Sequence, residues 1–187
     1  MPDTGLAHAQ GAAILTLPNI ISFARLCAVP VAIWLVLHRL FGGAFTLFIL
    51  AGISDGIDGW LARRRGGTTL GAILDPLADK TLMIGMYVTL AAIAQLPDWL
   101  AMLVVFRDLV IVGGVLLLWV ASHPTKISPL IVSKLNTTLQ IALVALVLGL
   151  DSLGANLDTL RDIAIALVTA STLVSGAAYI IRTANAA

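Results

Sequence analysis

Along the chain, long apolar blocks alternate with short polar breaks. Six blocks are each about as long as the ~20 residues needed to cross the hydrocarbon core of a bilayer. They cover residues 20–41, 43–65, 70–95, 99–121, 130–150 and 163–181. Pro18 and Asn19 suit the start of the first helix. "LPD" at 96–98 is a turn, and "SHPTKISP" and "DSLGANLDTLRD" are polar loops. The pattern predicts an all-α membrane protein with six transmembrane helices in a single domain spanning residues 1–187, with a tail over 1–16. No internal repeat or low-complexity linker interrupts it, and the first dozen residues lack the basic region of a cleaved signal peptide.

Composition agrees. Of 187 residues, 59% are hydrophobic and 11% charged, and mean hydropathy is +1.02. A net charge of +1 gives no reason to expect a nucleic-acid partner. The single cysteine, Cys27, excludes an internal disulfide and a cysteine metal cluster; a place in the packed interior is expected for it. The basic residues are unevenly distributed. Arg63, Arg64, Arg65, Lys126 and Arg182 fall on one side, with Arg25, Lys80 and Lys134 in the adjoining turns, and Arg39 and Arg161 fall on the other. By the positive-inside rule the first side, with both termini, faces the cytoplasm or the mitochondrial matrix.

One stretch stands out against this apolar background. "SDGIDGWLARRRGGTTLGAILDPLADK" holds Asp55, Asp58, Asp75 and Asp79, four of the ten acids. Spacings of three and four put each pair on one helical face. The pairs end one predicted helix and begin the next across a short connection, so the two faces can meet in a cytoplasm-facing polar cavity. An ionised acid in a membrane helix costs ~2.5–3.5 kcal/mol even on the lenient insertion scale. Two divalent cations would offset that cost and the mutual repulsion. An all-oxygen donor set favours Mg²⁺ or Mn²⁺, and a pair of ions suits phosphoryl chemistry.

The neighbouring residues fit a bulky ligand. Gly56 and Gly59 expose backbone within a helix, and Ala62 extends the small face. Arg63 is placed for a phosphate, and the Thr68 hydroxyl in "RGGTTLG" could contact a nucleotide or sugar. Plainer roles exist for each piece: the glycines as a helix-packing motif, the arginine triplet as a membrane anchor, one acid as a transporter's proton relay. The joint spacing favours a site. No inverted repeat supports an ion-coupled transporter, and a structural scaffold has no use for four carboxylates.

At these residues the chain resembles the CDP-alcohol phosphatidyltransferase family, whose pattern is matched by Asp55, Asp58, Gly59, Ala62, Arg63, Gly71, Asp75 and Asp79. The gap between the two halves is seven residues where eight is commoner. The resemblance implies that Asp55, Asp58 and Asp75 bind metal and that Asp79 is both ligand and catalytic base. It also implies that Asn19, Gly59, Ala62, Arg63, Thr68 and Gly71 belong to the CDP-donor site.

In "FRDLVIVGG" and "KISPLIVSKLNTTLQ" the chain is further similar to the cardiolipin-synthase branch of that family, through Arg107, Asp108, Ser133, Lys134, Asn136, Thr137 and Gln140. This implies transfer of a phosphatidyl group from CDP-diacylglycerol to phosphatidylglycerol, giving cardiolipin and CMP. Arg107, Lys134 and Asn136 would receive the acceptor. The neighbouring branch, which uses glycerol 3-phosphate, shares "LDPLADK" and is the alternative. The resemblance also implies a homodimer among membrane lipids, in a bacterial or mitochondrial inner membrane.

Overall fold

The computed structural model describes residues 17–65, 69–120 and 131–184, without the side chains of 17–19, 58–65, 69–73, 112, 114–120 and 182–184. These residues form six helices: α1 (Leu17–Leu37), α2 (Phe41–Arg65), α3 (Thr69–Ala92), α4 (Asp98–Val120), α5 (Ile131–Leu153) and α6 (Asp158–Ala184). The expected blocks are all present, with ends shifted by a few residues. The largest shift is at α6, where the polar run Asp158–Asp162 is helix in place of the expected loop. Asp158 in the first turn complements the helix dipole. Arg161 donates back to Asp151 of α5 (2.7 Å) and to Gln95 (3.0 Å).

Among the described residues, three apolar segments, Ile20–Leu37, Ile131–Leu153 and Asp158–Ile181, are long and apolar enough to cross a membrane. The outer surface has the same character. Trp34, Met102, Phe106, Leu109, Leu173 and Val174 are all exposed, while Ser22, Arg25, Arg107, Asp108, Asn136, Gln140, Thr172 and Ser175 are buried. A surface apolar all round with polar groups inside is what lipid as solvent demands. The protein is an integral membrane protein. Cys27, expected inside, is exposed on α1. Its neighbours Val29 and Ala32 take the inward face, and a small apolar thiol suits an outward position next to lipid.

The helices pack in a closed ring in the order α1, α2, α5, α6, α4, α3, with α3 also touching α5 across the middle. Tyr87, Met86 and Leu90 of α3 and Leu143, Val144, Val147 and Leu148 of α5 supply much of the core. The Tyr87 hydroxyl donates to the Gln140 carbonyl (3.2 Å), fixing the two central helices to each other. Gly85 lets α1 and α3 approach closely: a Cβ there would stand 3.2 Å from Ile33 Cδ1.

At the end away from the acidic stretch, α1, α3 and α5 each stop on a left-handed residue: Arg39 (φ 56°), Ala94 (φ 60°) and Gly154 (φ 63°). Each stop carries the same pair of capping bonds, represented by Leu40 N–H to Leu35 O (2.9 Å), Gln95 N–H to Leu90 O (2.8 Å) and Ala155 N–H to Leu150 O (3.0 Å). These tight turns join successive helices antiparallel. The C-terminal end of α2 therefore lies beside the N-terminal ends of α3 and α5, where the acids are.

Candidate active site

Asp55 is reached late in α2 and Asp79 about three turns into α3. Their carboxylates converge, as the spacing predicts, and the point on which they meet is a side chain of α1. Arg25 Nη1 donates to Asp55 Oδ1 at 2.9 Å and to Asp79 Oδ1 at 2.5 Å. The Arg25 side chain is only 1% exposed, whereas the carboxylates are 46% and 45% exposed. Protein therefore encloses the cation, and the acids keep an open side. Asp75, one helical turn before Asp79, accepts a hydrogen bond from Ser22 Oγ of α1. Pro76, between these acids, lies inside α3 and cannot donate the backbone bond that a helix interior normally makes there.

The open side faces a cavity of about 380 Å³ lined by residues of α1, α2, α3 and α5. Arg25, Asp55, Asp79 and Lys80 form its charged part. Phe48, Ile49, Ile53, Leu82, Met83 and Ile141 make the rest apolar, and Thr137 and Gln140 of α5 supply neutral polar groups. A charged head joined to an apolar slot suits an amphiphile better than a small soluble ion.

The geometry bears on whether divalent ions fit. Two carboxylates from different helices already share one positive charge, all donors are oxygen, and their exposed faces admit a ligand. Among the described residues no three acids lie close enough to hold an ion on their own. The Asp58 side chain, the fourth member of the expected set, lies outside them. Asp55 and Asp79 supply oxygen donors of the type Mg²⁺ or Mn²⁺ takes, and the group on which they converge is the Arg25 guanidinium.

The expected donor-site residues are only partly visible. Gly59, Ala62 and Arg63 occupy the last turns of α2, Gly71 the first turn of α3, and Asn19 the start of α1, but the side chains at these positions lie outside the described residues. Thr68 lies outside them altogether.

The expected acceptor residues do not join the carboxylates. Arg107 is buried in α4. It donates to Asp108 (2.8 Å), to Ser133 of α5 (2.7 Å) and to Ser175 of α6 (2.5 Å). Asn136 is fully buried and accepts from Ser171 (2.7 Å) and Thr172 (2.9 Å) of α6. Lys134 is exposed on α5, one turn before Thr137. None of the three lines the cavity.

Sequence reasoning misses Arg25, Ser22 and Lys80. By position alone Arg25 reads as a membrane-flanking charge. The signal that marks it is a lone arginine in the apolar run "IISFARLCAVPVAIWLVL", which requires an internal partner.

A profile of the CDP-alcohol phosphatidyltransferase family matches residues 15–175. A cardiolipin synthase (CMP-forming)/mitochondrial hydrolase fusion protein of Schizosaccharomyces pombe is 34% identical over 90% of this chain and 31% of its own length. A chloroplastic CDP-diacylglycerol–glycerol-3-phosphate 3-phosphatidyltransferase of Oryza sativa is 35% identical over 90% of this chain and 57% of its own. A cardiolipin synthase (CMP-forming) of Streptomyces coelicolor is 42% identical over 54% of this chain and 51% of its own. The chain thus spans between about a third and somewhat over half of these curated relatives.

Proposed function

The chain belongs to the CDP-alcohol phosphatidyltransferase family, and from that premise we propose that it transfers the phosphatidyl group of CDP-diacylglycerol to phosphatidylglycerol, forming cardiolipin and CMP. The observation that carries this reading is the convergence of Asp55 and Asp79 on one cationic point at the charged end of an otherwise apolar cavity.

The cavity's two parts divide the work. The apolar wall of Phe48, Ile53, Leu82 and Met83 takes hydrocarbon and holds the phosphate groups at the level of the acids. Asp55, Asp58, Asp75 and Asp79 would hold two divalent cations, which neutralise pyrophosphate charge and favour departure of CMP when bound. Asp79, on the cavity wall, is the base: its carboxylate takes the proton of the acceptor hydroxyl as that oxygen bonds to the phosphatidyl phosphorus and the bond to CMP breaks. Arg25 steers the Asp55 and Asp79 carboxylates toward each other from behind. Six membrane spans, with the site and both termini on the cytoplasmic or matrix side, agree with the charge distribution. A homodimer completes the proposal.

The rice relative named above uses glycerol 3-phosphate, and that acceptor is the second reading. Purified protein with CDP-diacylglycerol and Mg²⁺ or Mn²⁺ decides between them. CMP release on adding phosphatidylglycerol supports cardiolipin synthesis, and release with glycerol 3-phosphate alone replaces it with the second reading. Release with neither acceptor rejects both.

A further inference from the structure

We propose that Lys80 is the anion-binding group of the cavity, receiving the phosphate of the acceptor, and that Asp108 and Arg107 are positioning residues that hold it there. This rests on the phosphatidyl-transfer reading and assigns the acceptor's charge to a residue of α3.

Lys80 directly follows Asp79, and both line the cavity. Its side chain is 40% exposed and its Nζ lies 2.5 Å from Asp108 Oδ2 on α4. An ammonium has three N–H donors, and this contact uses one. Asp108 is 5% exposed and cannot swing away, because its other oxygen accepts from Arg107 Nη1 at 2.8 Å. Arg107 is in turn held by Ser133 and Ser175 on the far side of the ring. Lys80 is thus anchored from three helices that contribute none of the converging carboxylates.

Charge completes the case. Lys80 and Arg107 bring two positive charges and Asp108 one negative, so the cluster keeps one positive charge in surroundings of low polarity. Of these three residues Lys80 alone lines the cavity. The two charged clusters therefore differ in sign: Arg25 with Asp55 and Asp79 has an excess of negative charge, suited to cations, and the Lys80 cluster is suited to an anion. Asp79 and Lys80 both line the cavity, so one acceptor held in it can offer its hydroxyl to the carboxylate and its phosphate to the ammonium. Both a phosphodiester lipid and a glycerol phosphate carry such a group.

The test compares the wild type with Lys80→Met, Lys80→Arg and Asp108→Asn in initial rates of CMP release. It also measures equilibrium binding of phosphatidylglycerol and glycerol 3-phosphate. Loss of a hydrogen bond to a charged group predicts about a tenfold to hundredfold rise in acceptor KM and Kd for Lys80→Met, with the KM for CDP-diacylglycerol unchanged. Lys80→Arg should restore most of the affinity. Asp108→Asn should raise acceptor KM by a smaller factor while leaving donor KM alone. A larger effect on glycerol 3-phosphate than on phosphatidylglycerol identifies the doubly charged monoester as the ligand, and the reverse identifies the lipid. Unchanged acceptor Kd in Lys80→Met overturns the assignment, as does an equal rise in donor and acceptor KM. If Lys80→Met does not fold, an unchanged acceptor Kd in Asp108→Asn overturns the positioning of Lys80. A wild type that binds acceptor through Lys80 yet releases no CMP removes the reaction and leaves the site.

Discussion

Two clusters of arginine and aspartate among the described residues, one at Arg25 and one at Arg107, differ in what surrounds them. At Arg25 the cation is enclosed and the carboxylates of Asp55 and Asp79 are nearly half exposed toward a cavity. At Arg107 both partners are enclosed, with side chains 4% and 5% exposed, and two serines from neighbouring helices take further donors. The residue types are the same, but in the first the carboxylates themselves face the cavity, whereas Arg107 and Asp108 join α4 to α5 and α6 and reach the cavity only through Lys80. A buried charge in a membrane helix is a prompt to look for function. Which atoms remain open decides whether that function is binding or assembly.

Substitutions in the two clusters should therefore fail in different ways. The largest effect is expected for Asp79→Asn. CMP release should fall by about a thousandfold, within the range for loss of a general base, while the melting temperature in detergent moves little. A melt lowered as much as by substitutions at Arg107 would make Asp79 structural and erase the contrast. Next comes Arg107→Met, which leaves the buried Asp108 carboxylate with Lys80 and removes the bonds to Ser133 and Ser175; it should cost about 2–3 kcal/mol of stability, read as a drop in melting temperature. Asp55→Asn should weaken Mn²⁺ binding by roughly tenfold or more, because affinity follows ligand charge, with the fold intact. The smallest effect is expected for Ala94→Gly. Relieving a left-handed alanine should stabilise the protein by about 1 kcal/mol. Activity should not change, since the turn is remote from both clusters.

The acids are legible in the sequence because carboxylates in an apolar chain are too costly to keep without partners; those the structure shows are Arg25 for Asp55 and Asp79 and Ser22 for Asp75. The six helices are legible too, since each apolar block is long enough to form one and polar breaks separate them. How the helices are ordered in space is not. Arg25 lies 54 residues from Asp79 and Ser22 lies 53 from Asp75, and only the packing of α1 against α3 brings them together. Lys80 reads as a flanking charge at the end of the acidic stretch and Arg107 as an acceptor-binding cation within its span, and helical periodicity cannot say which one faces a cavity. At the start of α6, Asp158 and Asp162 look like loop residues until Arg161 is seen reaching back to Asp151.

The most direct measurement is a Mn²⁺ titration followed by electron paramagnetic resonance on the wild type and on the Asp55→Asn, Asp79→Asn double variant. Two ions should bind per wild-type chain, and the double variant should lose saturable binding while remaining folded. Equal binding in both proteins, or none in the wild type, would contradict the carboxylate-held metal centre on which the proposed reaction depends.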